Sequence, residues 1–123
     1  MKIVYIAGPY TPFAEDMYSF VARERHINMS RECAAWCADN GIGYISPHMN
    51  SAHMDAIVPN VQYDFWISMD IQIIERCADA VLFIGDWQRS KGAVREYEYT
   101  KRLDKERFEW PHEIDLILKW RGE

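Results

Sequence analysis

The sequence has no Gly-x-Gly-x-x-Gly fingerprint and no Gly-x-x-x-x-Gly-Lys-Ser/Thr loop. Dinucleotide and P-loop triphosphate sites therefore have no support in it. Cysteine is sparse: Cys33, Cys37 and Cys77 cannot all pair within one chain, and none stands in a Cys-x-x-Cys arrangement. No disulfide and no zinc site are expected. Cys33 and Cys37, one helical turn apart among Ala34, Ala35, Trp36 and Ala38, read as buried structural thiols. Basic residues number 14 against 19 acidic ones, for a net charge of -5. A general nucleic-acid binder draws most of its affinity from a basic surface, so no nucleic-acid polymer is expected as a partner. No apolar run approaches the length of a membrane span. The N-terminal run Ile3-Val4-Tyr5-Ile6-Ala7 is too short for a signal peptide and breaks at Gly8-Pro9. A cytoplasmic protein with no membrane partner is the expectation.

What is present is the composition of an ordinary globular protein, 49% hydrophobic and 27% charged over 123 residues. Residues 1–123 are expected to form one domain. Residues 2 to 7 are apolar and rich in β-branched and aromatic side chains, which predicts a central strand ending at Gly8-Pro9-Tyr10-Thr11-Pro12. From about Asp16 to Asn40 nothing breaks a helical pattern in which Val21, Ile27, Ala34, Ala35 and Ala38 form the apolar side. Gly41 is placed to cap its C-terminus in the left-handed conformation. Gly43 to Ile45 reads as a second strand that leaves through a loop, Ser46 to Asn50. Residues 51 to 60 have no period. A second helix follows from about Val61 to Arg76, with Phe65, Met69, Ile73 and Ile74 as its apolar stripe and Tyr63, Trp66 and Asp70 facing elsewhere.

Ala80 to Ile84 reads as a third, buried strand, and a third helix runs from about Gly92 to Asp104. Residues 107 to 110 are consistent with a short strand, and Pro111-His112-Glu113 with the start of a last helix. Strands alternating with helices predict an α/β fold, a parallel-sheet, Rossmann-like (flavodoxin-like) three-layer sandwich. In such sheets ligands bind beyond the carboxyl ends of the strands, where residues 8 to 12, 46 to 50 and 85 to 91 should meet. A strand end, a polar loop and a helix start carrying a carboxylate make Glu96 the first candidate for the centre of a site.

The carboxylates, hydroxyls and aromatics at these strand ends suit cleavage or transfer at a sugar better than redox chemistry, and no cofactor is expected. His48, His53 and Asp55 lie in an irregular stretch without ligand spacing, so no metal is expected either. His48 reads equally as a proton donor, a phosphate or base contact, or a structural hydrogen bonder. Tyr10, Trp66 and Trp87 are candidates to stack on a base. Arg23 and Arg25 either approach a phosphate or lie on a solvated helix face. Glu96 itself, Asp70 and Tyr5 also have plain structural readings, as a first-turn helix residue, an exposed helix residue and a core side chain.

Several segments resemble one family. Val4-Tyr5-Ile6-Ala7-Gly8-Pro9-Tyr10, Ile45-Ser46-Pro47-His48-x-Asn50, Asp70 ahead of Cys77-Ala78-Asp79-Ala80-Val81, and above all Ser90-x-Gly92-Ala93-x-x-Glu96 are similar to the nucleoside 2-deoxyribosyltransferase-like superfamily. The resemblance implies Glu96 as a nucleophile at the anomeric carbon, Tyr5 as its hydrogen-bonding partner and Asp70 as the group that helps protonate the leaving base. It implies substrate contacts from Gly8, Tyr10, His48, Asn50, Trp87, Ser90 and Gly92, with Ser90 matching a position that holds a 5′-phosphate in the monophosphate hydrolases. It also implies a homodimer or higher homo-oligomer. Nothing after Lys101 resembles the segment with which the transferases complete a neighbour's pocket. The expected activity is therefore hydrolysis of a (2′-deoxy)nucleoside 5′-monophosphate to base and sugar phosphate. The alternatives are a deoxyribosyltransferase acting on nucleosides and a nucleotide-binding domain without turnover.

Overall fold

Four segments form strands: the apolar, largely buried β1 (Ile3–Ala7) and β3 (Ala80–Ile84), and at the edges β2 (Gly43–Ile45) and β4 (Glu106–Trp110). The computed structural model, which describes residues 1–123, joins them in one parallel sheet of order β2-β1-β3-β4. Every residue of β3 is buried, as expected for a strand covered on both faces.

Between the strands run α1 (Ser19–Asp39), the single turns α2 (Pro47–Asn50) and α3 (Met54–Ile57), α4 (Tyr63–Cys77) and α5 (Lys91–Arg102), and α6 (Ile114–Arg121) follows β4. A turn of 3-10 helix, Trp87–Arg89, precedes α5. On one face of the sheet Val4, Ile6, Leu82 and Ile84 pack with Cys33, Cys37 and Ala34 of α1 and Ile117 and Trp120 of α6. On the other, Tyr5, Ala7, Val81 and Phe83 meet Ile74 of α4 and Tyr97 of α5. Alternation along the strands thus divides the two layers of helix. The α/β three-layer architecture expected from the sequence is the one observed.

Several details differ from expectation. Helix α1 starts at Ser19, not Asp16, because Asp16 closes a turn in which its carboxylate accepts the Phe13 N–H at 2.7 Å. Its buried side is Ala22, His26, Ile27, Ser30, Cys33, Ala34 and Cys37. Val21, Ala35 and Ala38 face solvent. Gly41 does take a left-handed φ of 70° just past the helix. The segment expected as a loop after β2 winds into α2 with Pro47 in its first turn, where a missing N–H costs nothing. Helix α4 buries Ile67, Asp70 and Ile74, whereas Phe65 is exposed and Met69 and Ile73 are half-buried. Of the expected stripe, Ile74 is fully buried and Ile73 packs at the core's edge, whereas Ile67 and Asp70 take the buried positions expected of Phe65 and Met69. All three cysteines are free; Cys33 and Cys37 are buried and Cys77 is exposed.

Candidate active site

A cavity of about 310 Å³ opens where the chain leaves β1, β2 and β3. Its volume is at the lower end of the roughly 300–1,000 Å³ usual for small-molecule sites. Helices α4 and α5 form one wall with Tyr63, Trp66, Ile67, Asp70, Gly92, Ala93 and Glu96. The opposite wall comes from the segments after β1 and β2, with Gly8, Tyr10, Thr11, Pro47, His48, Ser51 and Asp55.

The α4/α5 wall holds a buried polar cluster. Tyr5 points from the middle of β1 toward α5, where its hydroxyl donates to Oε2 of Glu96, both groups being buried. Asp70, on the buried side of α4, leaves its Oδ1 with no hydrogen-bond partner. Burial raises the Glu96 carboxyl from 4.5 to about 8, the Tyr5 hydrogen bond opposing the rise and the nearby Asp70 adding to it. Burial likewise lifts Asp70 from 3.8 to about 6, again opposed by Tyr5. The phenol itself is pushed well above its usual range, by burial first and then by the Glu96 and Asp70 charges, so it remains a proton donor. The Asp70 charge acts on the Glu96 carboxyl, so the two titrate as a pair that holds one proton near neutrality, with Glu96 the more basic member. The geometry is that of one carboxylate held by a donor beside a second carboxyl with a free oxygen.

Where α5 begins, Ser90 is its N-cap: Oγ accepts the Ala93 N–H at 3.2 Å. The hydroxyl proton stays free, and the first N–H groups of the helix have no intrahelical acceptor. Gly92 lets Tyr63 and Ile67 of α4 approach α5 closely: a Cβ there would stand 2.9 Å from the Tyr63 hydroxyl and 3.1 Å from Cδ1 of Ile67, so these side-chain ends would have to shift. Gly8 is likewise held against β3, where a Cβ would come within 2.5 Å of Cγ1 of Ile84.

The opposite wall is fixed by polar contacts between elements. The Tyr10 hydroxyl accepts the His53 N–H at 2.6 Å, and the His26 ring nitrogen lies 3.1 Å from the Tyr10 carbonyl. Arg23 lies over the Tyr10 ring and 3.8 Å from the Asp55 carboxylate. His53 pairs with Glu24 at 2.6 Å, and His48 bonds the Pro9 carbonyl at 2.8 Å. His48, His53 and Asp55 thus have three separate partners.

Of the residues singled out from the sequence, the structure brings Gly8, Tyr10, His48, Asp70, Ser90, Gly92 and Glu96 to the cavity wall, with Tyr5 behind Glu96. Two fall outside. Trp87 stacks between Phe83 and Tyr97, at ring separations of 4.8 and 5.0 Å, and donates its Nε1–H to Glu109. Its apolar ring and single donor are already satisfied on the far side of α5. Asn50, at the end of α2, is exposed and does not line the cavity. Arg25 is exposed as well. Sequence reasoning passed over Ser51 and Asp55 as ligand contacts, because residues 51 to 60 have no period from which to read a face, and over Val61, which it took into the second helix although that helix begins at Tyr63.

A family model described as "Domain of unknown function (DUF4406)" matches residues 2–107. The chain belongs to that family. This DUF4406 protein has no similar sequence among curated proteins. Among solved structures it is similar to a 2-deoxyribosyltransferase from the psychrotolerant bacterium Bacillus psychrosaccharolyticus, with a TM-score of 0.56 and 19% identity over 87% of this chain and 70% of that one. The likeness is one of fold: a parallel sheet flanked by helices, as in the deoxyribosyltransferases. No helix is long and apolar enough to cross a membrane.

Proposed function

We propose that this DUF4406 protein is an N-glycosidase that hydrolyses a (2′-deoxy)nucleoside 5′-monophosphate through a covalent glycosyl-Glu96 intermediate. The observation that carries the reading is the Tyr5–Glu96–Asp70 cluster in the cavity wall. In the free protein Glu96 is the more basic of the two carboxyls and holds the shared proton near neutrality; with substrate bound that proton passes to Asp70, and Glu96, then ionised and held by Tyr5, attacks C1′ of the sugar. The C1′–N bond breaks, its electron pair passes to the base nitrogen, and Asp70 supplies the proton. Water then attacks C1′, Asp70 takes up the proton of that water, and Glu96 leaves as the carboxylate.

Positive charge growing on the sugar in the transition state favours ionised Glu96, and charge growing on the departing nitrogen favours protonated Asp70. The single proton of the pair is then used where it is needed. A deoxyribose lacks the electron-withdrawing 2′-hydroxyl, so its cation forms more readily. At the other end of the sugar, the Ser90 hydroxyl and the N-terminus of α5 are suited to a phosphate.

A second reading has its own support: Asp55, Asp70 and Glu96 line the cavity, and no lysine or arginine does. That balance favours an uncharged nucleoside, with a second base capturing the sugar in place of water. Chromatographic detection of free base tests both. The protein is incubated with each common ribo- and deoxynucleoside 5′-monophosphate, then with nucleosides plus a second base, beside a Glu96→Ala control. Release of base from a monophosphate by the native protein alone supports hydrolysis. Exchange of bases on nucleosides supports transfer. Silence in both arms overturns the enzymatic reading.

A further inference from the structure

The cavity wall that faces Glu96 and Asp70 carries one carboxylate of its own, Asp55 in the single turn α3. Its side chain lines the cavity and is 52% exposed, so a ligand can reach it. Arg23, 3.8 Å from Oδ2, is near enough to attract the charge and too far to donate a hydrogen bond. The acceptor capacity of the carboxylate is therefore left to water or to a ligand. Its neighbours on that wall are already engaged: the Ser51 hydroxyl donates to the Pro47 carbonyl at 2.8 Å, the Tyr10 hydroxyl accepts the His53 N–H, and His48 is buried against the Pro9 carbonyl. Of the three carboxyls around the cavity, two are used at C1′ in the reading above, and Asp55 has no part in that chemistry. A carboxylate accepts and does not donate, so a group set against it must offer an N–H or O–H, and a carbonyl oxygen placed there is repelled.

We propose that Asp55 is a specificity-determining residue that accepts from the exocyclic amino group of the base, so that the substrate carries an aminated base in preference to its oxo counterpart. The assignment rests on the nucleoside reading above and deepens it. With C1′ against Glu96 and the 5′ end toward Ser90, both on the α4/α5 wall, the base is the part of the substrate that extends to the Asp55 wall. Exchanging an amino group for an oxo group turns a donor on the base edge into an acceptor, which one carboxylate distinguishes. A ribose hydroxyl is the other source of the same donor chemistry.

The test measures binding by calorimetry to the full chain carrying Glu96→Gln, which separates recognition from turnover. The probes are nucleosides and their 5′-monophosphates in pairs that differ by an amino group: cytidine against uridine, adenosine against inosine, and guanosine against inosine, each also in 2′-deoxy form. In at least one pair the amino-bearing member is expected to bind about tenfold more tightly, the effect of one hydrogen bond to a charged group. Adding Asp55→Ala is expected to close that gap by weakening the amino-bearing member without weakening its partner. Retained binding of the partner shows in the same titration that the variant is folded.

Equal binding within every pair, or a gap that Asp55→Ala leaves intact, overturns the role of Asp55 and leaves the nucleoside reading standing. An equal loss of affinity for both members shows that Asp55 acts only through the shape of the wall and its pairing with Arg23, and overturns the proposal as well. Discrimination that follows the 2′-hydroxyl and not the base overturns the base assignment. Failure of every nucleoside and nucleotide to bind overturns the nucleoside reading and this inference together.

Discussion

Val4, Ile6, Leu82 and Ile84 project from the two central strands into an apolar core beneath α1 and α6, whereas Tyr5, Ala7, Val81 and Phe83, one residue out of phase, face α4 and α5. The first face buries no ionisable group from its strands. The second carries a phenol that runs through the layer to a buried carboxylate. One strand, β1, therefore serves both faces by alternation, with its even residues in the apolar core and an odd one bonded to the carboxylate of the proposed site. The α4/α5 side tolerates two carboxyls that are costly to ionise when buried, and the apolar side supplies the burial that offsets them.

The sharpest way to break this comparison is to alter each side separately. Glu96→Gln should lower base release by about 1,000-fold or more, since it removes the nucleophile, while the fold is retained. Leu82→Ala on the opposite face should do the reverse. It should cost about 2–5 kcal/mol of stability in denaturant titration, as a buried leucine deletion does, with the chemistry of the remaining folded protein unchanged. Tyr5→Phe falls between the two: loss of one hydrogen bond to a charged group should reduce kcat about 10- to 100-fold.

The two faces should also respond differently to pH. Glu96 is raised from 4.5 to about 8 in the folded protein, so the folded state holds a proton that the unfolded chain releases. The stability associated with that proton is fully present below pH 4.5 and is lost as pH rises toward 8. Glu96→Gln should flatten this decline, and Leu82→Ala should leave its slope as it is. The proposed mechanism uses the singly protonated pair, so base release should peak between about pH 6 and 8 and fall on either side. The smallest effect is expected from Trp87→Phe. Its ring lies outside the cavity, so base release should change less than about threefold, in the range of surface-type substitutions.

How far the sequence disclosed this arrangement depends on the kind of pattern. The runs Ile3–Ala7 and Ala80–Ile84 were legible because buried parallel strands are continuously apolar. The spacing from Ser90 to Glu96 was legible because a helix start fixes its own polar groups. On α1 the sequence placed Ile27, Cys33, Ala34 and Cys37 correctly in the core but missed Ala22, His26 and Ser30, whose side chains carry little hydrophobic signal, and it counted Val21, Ala35 and Ala38, which face solvent. The first half of the α4 stripe was misread because Phe65 is exposed while Asp70 is buried, the opposite of what polarity suggests. Trp87 was placed at the site as a stacking aromatic after a strand end and Asn50 by motif; the stacked aromatic neighbours of one and the exposure of the other come from tertiary packing. Asp55 reaches the cavity from a stretch with no period, which only the folded chain locates.

The central claim is that Glu96 bonds covalently to the sugar. Acid-quenching the protein during incubation with a substrate nucleotide, followed by peptide mass spectrometry, tests it most directly. The account predicts a peptide containing Glu96 heavier by one sugar phosphate less the elements of water, with the adduct absent from Glu96→Gln. Base release at full rate by the Glu96→Gln protein, or an adduct on a different residue, would contradict it.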